Sequence, residues 1–134
     1  MLRGSCLCSN VHYEIDGPVT DMCNCHCGMC RKAHGAAFAT VVTAQGTNFR
    51  WTQGADLVET YKSSNELDRL FCRVCGSSLV IIEPKTGEVF VAAGTLDEDP
   101  GIRLESHIFV GSKAPWLDIL DEKPRFDAYP PDEN

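Results

Sequence analysis

Basic side chains are scarce in this sequence. Its 134 residues include 12 Lys and Arg against 19 Asp and Glu, which gives a formal net charge of −7. Proteins that bind nucleic acid need clustered cations, which contact the phosphates and release counterions. The composition therefore excludes nucleic acid as a general partner.

Long apolar runs are also lacking. No segment approaches the roughly 18 apolar residues of a membrane span. The stretch Met1–Cys6 contains no apolar run of signal-peptide length. We therefore expect a cytoplasmic protein without a membrane partner. A disulfide framework, which is typical of small secreted chains, is disfavoured for the same reason.

The length suits one domain with a single core. We predict one domain over residues 1–126. The last residues, 127–134, include two prolines and three acids. Such a short polar terminus is expected to fray.

Cysteine, in contrast, is abundant. Eight cysteines fall into three clusters, which read Cys6-Leu-Cys8, Cys23-Asn-Cys25-His-Cys27-Gly-Met-Cys30 and Cys72-Arg-Val-Cys75. Cysteines two or three positions apart can place their sulfurs about 2.3 Å from one shared ion, and a tetrahedral ion takes four ligands. Eight thiols thus predict two metal sites, and sulfur ligands favour zinc.

The two outer clusters each supply half of a metal site. We predict that they combine into one closed, structural site of four thiolates, formed by Cys6, Cys8, Cys72 and Cys75. Gly76 follows directly and suits the left-handed backbone of a metal-binding turn. Metal binding at such a site is coupled to folding.

The central cluster permits two interpretations. Cys25, Cys27 and Cys30 form a compact Cys-x-Cys-x-x-Cys group. An ion held by three thiolates keeps an open fourth position, which is the arrangement of a catalytic zinc site. Alternatively, Cys23 or His26 supplies a fourth ligand, and the site is closed and structural. The spacing alone favours neither interpretation.

Apolar residues mostly alternate with polar ones, and this pattern predicts short strands. The expected strands are Val11–Ile15, Ala37–Thr43, Phe49–Thr52, Leu57–Tyr61, Leu79–Glu83, Glu88–Ala92 and His107–Val110. The loop Pro84–Gly87 suits a four-residue hairpin turn. Brief helices are expected near Gly28–Lys32 and Trp116–Leu120.

Five ordered blocks give the chain a resemblance to a known family. They are Gly4–Cys8 with Val11–Glu14, Cys25–Lys32 with Gly35 and Phe38, Phe71–Ser77, Gly94–Asp97 and His107–Trp116. Together they span nearly the whole chain. They resemble the glutathione-dependent formaldehyde-activating enzyme family, whose domain also occurs in centromere protein V.

The resemblance implies a fold, cofactors and a reaction. The fold would be mainly β, a β-tent of short curved antiparallel sheets stapled by zinc. Two zinc ions per chain are implied, a structural one at Cys6, Cys8, Cys72 and Cys75 and an active-site one at Cys25, Cys27 and Cys30. The reaction would be the reversible addition of the glutathione thiol to formaldehyde, which gives S-hydroxymethylglutathione and is formally that of a carbon–sulfur lyase. The partners would be glutathione or another small thiol, and a small aldehyde.

Other residues are candidates for steps of this chemistry. The hydroxymethyl oxygen needs a proton, and His26, His34 and Lys113 are candidates to supply it. Arg31 and Lys32 directly follow the central cluster. They either bind the carboxylates of glutathione or are solvated surface charges.

The sequence also leads to expectations for Trp116, His107 and Ser9. Trp116 either lines the binding pocket or packs in the core. His107 begins an apolar strand and is expected to be a hydrogen-bonded core histidine. Ser9 stands where family members usually have glycine, so a less tight turn is expected there.

Two other functions are compatible with the sequence. The protein could act on, or only bind, a different thiol or aldehyde. It could also be a non-catalytic zinc module that serves protein contacts, and a site closed by Cys23 would favour this last function.

Overall fold

Strands make up most of the regular structure. The computed structural model describes residues 1–131, and within them it contains ten β-strands and one α-helix. The strands are β1 (Leu2–Ser5), β2 (His12–Ile15), β3 (Thr20–Cys25), β4 (Ala39–Gln45), β5 (Phe49–Gln53), β6 (Val58–Lys62), β7 (Asp68–Cys72), β8 (Ser78–Glu83), β9 (Glu88–Ala92) and β10 (Ser106–Ile108). The helix, α1, is Gly28–His34. The predicted mainly β class is confirmed.

The chain divides into two compact units, and the first comprises Met1–Thr20 and Val42–Ile102. Within it, β1, β2 and β5 form an antiparallel sheet in the order β1-β2-β5. The strands β6, β7, β8 and β9 form an antiparallel meander. The pair Glu83↔Glu88 closes the predicted four-residue hairpin loop between β8 and β9.

Alternation along the strands explains the core of this first unit. On β2, Tyr13 and Ile15 are buried while His12 and Glu14 are half-exposed, as period-two patterning requires. Tyr13 stacks on Phe49 with ring centroids 5.1 Å apart and meets Trp51 edge-on at 6.2 Å. Its hydroxyl is hydrogen-bonded to the hydroxyl of Thr95 at 2.7 Å. The ring is therefore fixed on both its apolar and its polar side.

The second unit comprises Asp21–Val41 and the chain from Arg103 onward. In it, β10 pairs with β3 in parallel, with Ile108 opposite Cys25. The antiparallel arrangement predicted for the sheets is thus wrong for this pair. Two strands more than 80 residues apart in sequence are joined by a long connection, which permits a parallel pairing that a hairpin excludes.

The helix α1 begins and ends with clear caps. The Cys27 sulfur accepts a hydrogen bond from the Cys30 backbone N–H, and Gly35 closes the C-terminus in the left-handed conformation. Arg31, Lys32 and His34 lie in the last turn, where cations complement the helix dipole. The helix predicted near Gly28–Lys32 is confirmed.

The helix predicted at Trp116–Leu120 is wrong, because this segment forms only a turn. The backbone N–H of Leu117 donates to the Ala114 carbonyl at 3.1 Å, which closes one turn. Five residues beside a proline are too few to recover the cost of nucleating a helix.

The C-terminal segment is tied to the region after β10. The Asp127 and Ala128 carbonyls accept hydrogen bonds from the backbone N–H groups of Gly111 and Phe109. The tail predicted to fray begins at this point, and its residues 132–134 lie outside the described part. Among residues 1–131, no helix has the length and apolar character to cross a membrane.

Candidate metal centres and active site

Two groups of cysteine sulfurs converge in the structure. The first group contains Cys6, Cys8, Cys72 and Cys75, and all four sulfurs lie within 4.8 Å of one another. None of the eight cysteines, all of which lie within the described residues, forms a disulfide. The structure thus brings together the four residues that the spacing predicts for the structural site.

Short backbone turns bring these four sulfurs close together. Gly76 has a φ of 78°, and its N–H donates to the Cys72 carbonyl at 2.8 Å, which closes the predicted left-handed turn. On the other side, the Ser9 N–H donates to the Cys6 carbonyl at 3.1 Å. Ser9 itself has a φ of 65°, so the backbone is as tight as with glycine although the residue is serine.

Hydrogen-bond donors surround this first group. The Val11 N–H donates to the Cys6 sulfur at 3.3 Å, and the Asn10 side-chain amide donates to the Cys8 sulfur at 3.4 Å. Hydrogen bonds from the Ser77 side chain and backbone lower the pKa of Cys75 to about 5. Such donors stabilise thiolate, the form of cysteine that binds metal.

The second group contains Cys25, Cys27 and Cys30, whose sulfurs also lie within 4.8 Å of one another. Cys25 ends β3, Cys27 caps α1 and Cys30 lies in the first turn of the helix. Contacts with the Cys27 and Cys30 sulfurs strongly raise the pKa of the Cys25 thiol. Three thiolates this close repel one another, and a bound cation would offset this repulsion.

Cys23 does not join this second group among the described residues. It lies two positions before Cys25 on β3 and is half-buried. Burial, together with the charges of Asp21, Cys30 and Glu105, raises its pKa to about 11. What separates Cys23 from the second group is position, because its sulfur is not among those that lie within 4.8 Å of one another.

The sulfur geometry fits a tetrahedral zinc ion. Zinc–sulfur bonds of about 2.3 Å require sulfurs about 3.8 Å apart. The Cys8 and Cys72 sulfurs are 3.8 Å apart, and those of Cys6 and Cys8 are 3.5 Å apart. The four-sulfur group thus has the spacing of a tetrahedral zinc site, and the three sulfurs of the second group, within 4.8 Å of one another, could share an ion.

A hydrogen-bonded chain of side chains begins between two cysteines of the second group. His26 Nε2 lies 2.9 Å from His107 Nδ1, and His107 Nε2 lies 2.9 Å from Asp121 Oδ2. His26 is 0% exposed and His107 is 3% exposed, so both rings are in the core. Burial and the nearby His107 lower the pKa of His26, while the hydrogen bond from His107 lowers the pKa of Asp121.

The sequence profile of glutathione-dependent formaldehyde-activating enzymes matches residues 1–112, which include all eight cysteines. The chain belongs to this family. The predicted resemblance is confirmed, and so is the prediction of an enzyme of the lyase type.

Two curated relatives of this family member cover nearly its whole length. A Halomonas elongata protein, provisionally named a glutathione-dependent formaldehyde-activating enzyme, is 28% identical over 100% of this chain and 91% of its own. A Schizosaccharomyces pombe protein named as an uncharacterized lyase is 29% identical, over 92% of this chain and 89% of its own.

One solved structure shows the same fold. A crystal structure of a Rhodobacter sphaeroides protein superimposes with a TM-score of 0.58 and 24% sequence identity. The match covers 75% of this chain and 90% of that chain.

The two candidate cations of this family member differ in their surroundings. Lys32 is exposed, whereas Arg31 is half-buried in the last turn of α1. The Arg31 Nε atom is buried and makes no hydrogen bond with the described residues. A buried guanidinium nitrogen normally has a partner, so an external acceptor such as a carboxylate suits this position.

The other candidate residues differ in their contacts and exposure. The Lys113 ammonium donates to the carbonyls of Ala114 and Leu117 and so closes the turn there. Trp116 is 70% exposed, so the alternative of core packing is wrong. His34 is half-buried at the end of α1, and His26 is fully buried. The core role expected for His107 is confirmed.

Asp121 is the site residue that the sequence analysis missed. It lies 14 positions after His107, in a segment without regular structure. Acidic residues are common in this part of the chain, and no spacing marks one of them as the partner of a buried histidine. Only the folded backbone distinguishes Asp121.

Proposed function

We propose that this protein is a zinc-dependent lyase that catalyses the reversible addition of glutathione to formaldehyde, giving S-hydroxymethylglutathione. One observation carries the proposal: the second group has three protein sulfurs, and Cys23 is not among them. Three protein ligands are typical of catalytic zinc, whereas structural zinc has four. The curated Halomonas elongata relative carries the name of this enzyme.

The two cysteine groups have different roles in this proposal. Cys6, Cys8, Cys72 and Cys75 would hold a structural zinc ion that links the strands of a β-tent, and Cys25, Cys27 and Cys30 would hold the active-site ion. When bound, that ion would lower the pKa of a substrate thiol and so favour its nucleophilic thiolate form at neutral pH.

The chain's own residues bind and orient the substrates. The glutathione sulfur forms a bond to the formaldehyde carbon, and the carbonyl electron pair moves to oxygen, which takes up a proton. Correct placement of the sulfur beside the carbonyl lowers the entropic cost of this step. We propose that Arg31 binds a glutathione carboxylate, because its buried Nε atom needs an acceptor. Lys113 and His34 stay candidates for the proton, and Trp116 for a wall of the pocket.

The reaction is tested by exchange NMR of glutathione, formaldehyde and their adduct. We expect the zinc-loaded protein to accelerate interconversion above the rate without protein. The Cys30→Ser variant should return the rate to that background, because the second group loses a sulfur ligand. The Cys23→Ser variant is the matched control and should retain the wild-type rate. Absence of acceleration by the wild-type protein, or equal loss in both variants, would contradict the proposal.

The substrate contact is tested with the Arg31→Ala variant. We expect the KM for glutathione to rise about 10-fold with little change in kcat, because a charge-assisted hydrogen bond to the carboxylate is lost. Lys32→Ala removes the same charge from the exposed neighbouring position and should leave KM within about 2-fold.

A thiol without carboxylates separates binding from structural damage. With 2-mercaptoethanol and formaldehyde, Arg31→Ala and the wild-type protein should act at the same rate. If Arg31→Ala slows this reaction as much as the one with glutathione, the arginine supports the fold and does not bind the glutathione carboxylate.

A further inference from the structure

A chain of hydrogen bonds ends at the peptide segment that joins two cysteines of the three-sulfur group. His26 lies between Cys25 and Cys27 in the sequence. Its backbone N–H donates to the Ile108 carbonyl at 2.9 Å, and its ring contacts His107, the preceding residue of β10. Both the backbone and the side chain of His26 are thus held by one strand.

Asp121 determines which atom is the donor in each hydrogen bond of this series. Its ionised carboxylate only accepts hydrogen bonds, so His107 carries a proton on Nε2. In neutral His107, Nδ1 is then an acceptor and receives a hydrogen bond from Nε2–H of His26. This leaves Nδ1 of His26 with a lone pair.

The surroundings of His26 Nδ1 agree with this direction. The atom is buried and has no hydrogen-bond partner among the described residues. The opposite direction would place a proton there and bury an unpaired N–H group. Buried donors without partners are rarer than buried acceptors without partners, so the structure favours the lone pair.

We propose that His26, His107 and Asp121 are positioning residues of the three-cysteine metal group. The hydrogen bonds from Asp121 through His107 fix the ring of His26. The backbone of His26 then sets the separation of the Cys25 and Cys27 sulfurs. The inference rests on the metal site of the proposed function but is independent of the reaction, so it is tested without measuring turnover.

Asp121 is the last member of this hydrogen-bonded series, and both of its carboxylate oxygens accept hydrogen bonds. Oδ1 accepts a hydrogen bond from the Lys123 backbone N–H at 2.9 Å, and His107 Nε2 lies 2.9 Å from Oδ2 and 3.1 Å from Oδ1. In an Asp121→Asn variant, a single side-chain oxygen remains for the Lys123 N–H and the His107 N–H. The ring of His107 therefore loses one of its two acceptor oxygens and the carboxylate charge beside it.

The wild-type protein provides the first test. Nitrogen-15 NMR of the zinc-loaded, histidine-labelled protein distinguishes protonated from unprotonated ring nitrogens. We expect neutral rings at His26 and His107, both protonated at Nε2. A proton on Nδ1 of His26, or a doubly protonated His107, would overturn the proposed direction.

Cadmium-113 NMR of the metal-substituted protein provides the second test, since sites with three and four sulfurs give separate resonances. Asp121→Asn should shift only the three-sulfur resonance and weaken metal binding at that site by about 10-fold, as measured by chelator competition. Asp121→Glu, which keeps the carboxylate, should restore binding in part. Asp118→Asn removes the same charge from a nearby exposed position and should leave both resonances unchanged.

The outcomes of the second test separate positioning from general damage. If Asp121→Asn leaves the three-sulfur site unchanged, or disturbs both sites equally, the positioning role is refuted. A protein with the expected tautomers and resonances that fails to accelerate adduct formation would refute the reaction alone.

Discussion

Replacing Cys72 with serine is expected to remove one of two bound zinc ions and to lower the Tm by at least about 10 °C. Cys72 is fully buried at the end of β7, and its sulfur lies 3.8 Å from that of Cys8. A structural zinc ion contributes on the order of 10 kcal/mol to folding. A serine hydroxyl is a much poorer zinc ligand than a thiolate, so the site loses most of this contribution.

The comparison with Cys23→Ser makes this experiment specific. That variant removes a thiol outside both sulfur groups, so zinc content should stay at two per chain and Tm within a few degrees. Zinc is measured by elemental analysis and Tm by calorimetry, with and without a chelator. The structural role of the four-cysteine group would be refuted if Cys72→Ser retained two zinc ions and the wild-type Tm.

Replacing Gly4 with alanine is expected to lower the free energy of unfolding by about 3 kcal/mol. Gly4 on β1 pairs with Tyr13 on β2, and the Tyr13 ring covers the glycine. An added Cβ would lie 2.1 Å from the Cζ atom of Tyr13. The ring cannot move away freely, because it packs against Phe49 and Trp51 and its hydroxyl is hydrogen-bonded.

A matched glycine and a double variant test this explanation by urea unfolding. Gly94→Ala adds the same methyl group where no atom lies within 4 Å, and should change the free energy of unfolding by less than about 0.5 kcal/mol. In a Tyr13→Leu background, Gly4→Ala should cost much less than in the wild-type protein. Equal costs in the two backgrounds would show that the ring is not the obstacle.

Cysteine spacing predicted the group of Cys6, Cys8, Cys72 and Cys75, but it left open whether Cys23 joins the central group, and only the folded structure separates it. The sequence also predicted the strands with alternating residues, such as β2, β8 and β9. The three strands β1, β3 and β7 were missed, because polar residues and cysteines interrupt their apolar pattern. Pattern-based prediction is weakest where residues are selected for a site and not for the core.

The side-chain environments depended on tertiary structure. For Trp116 the sequence favoured core packing over a place in the pocket wall, and its 70% exposure shows that core packing is wrong. The partnership of His107 with Asp121 arises because the backbone N–H of His107 donates to the Pro124 carbonyl and so draws this segment alongside β10. No local propensity encodes such a contact between a strand and an irregular segment.

The four-cysteine group also affects how the protein refolds and how its stability depends on free zinc. Cys8 and Cys72 are 64 positions apart, and closing a loop of that length costs about 4 kcal/mol in chain entropy. A disulfide would keep such a loop closed in the unfolded chain, whereas a zinc link opens on unfolding and must form again in each refolding event. Stability at this site therefore follows mass action, and each tenfold decrease in free zinc should lower the unfolding free energy by about 1.4 kcal/mol.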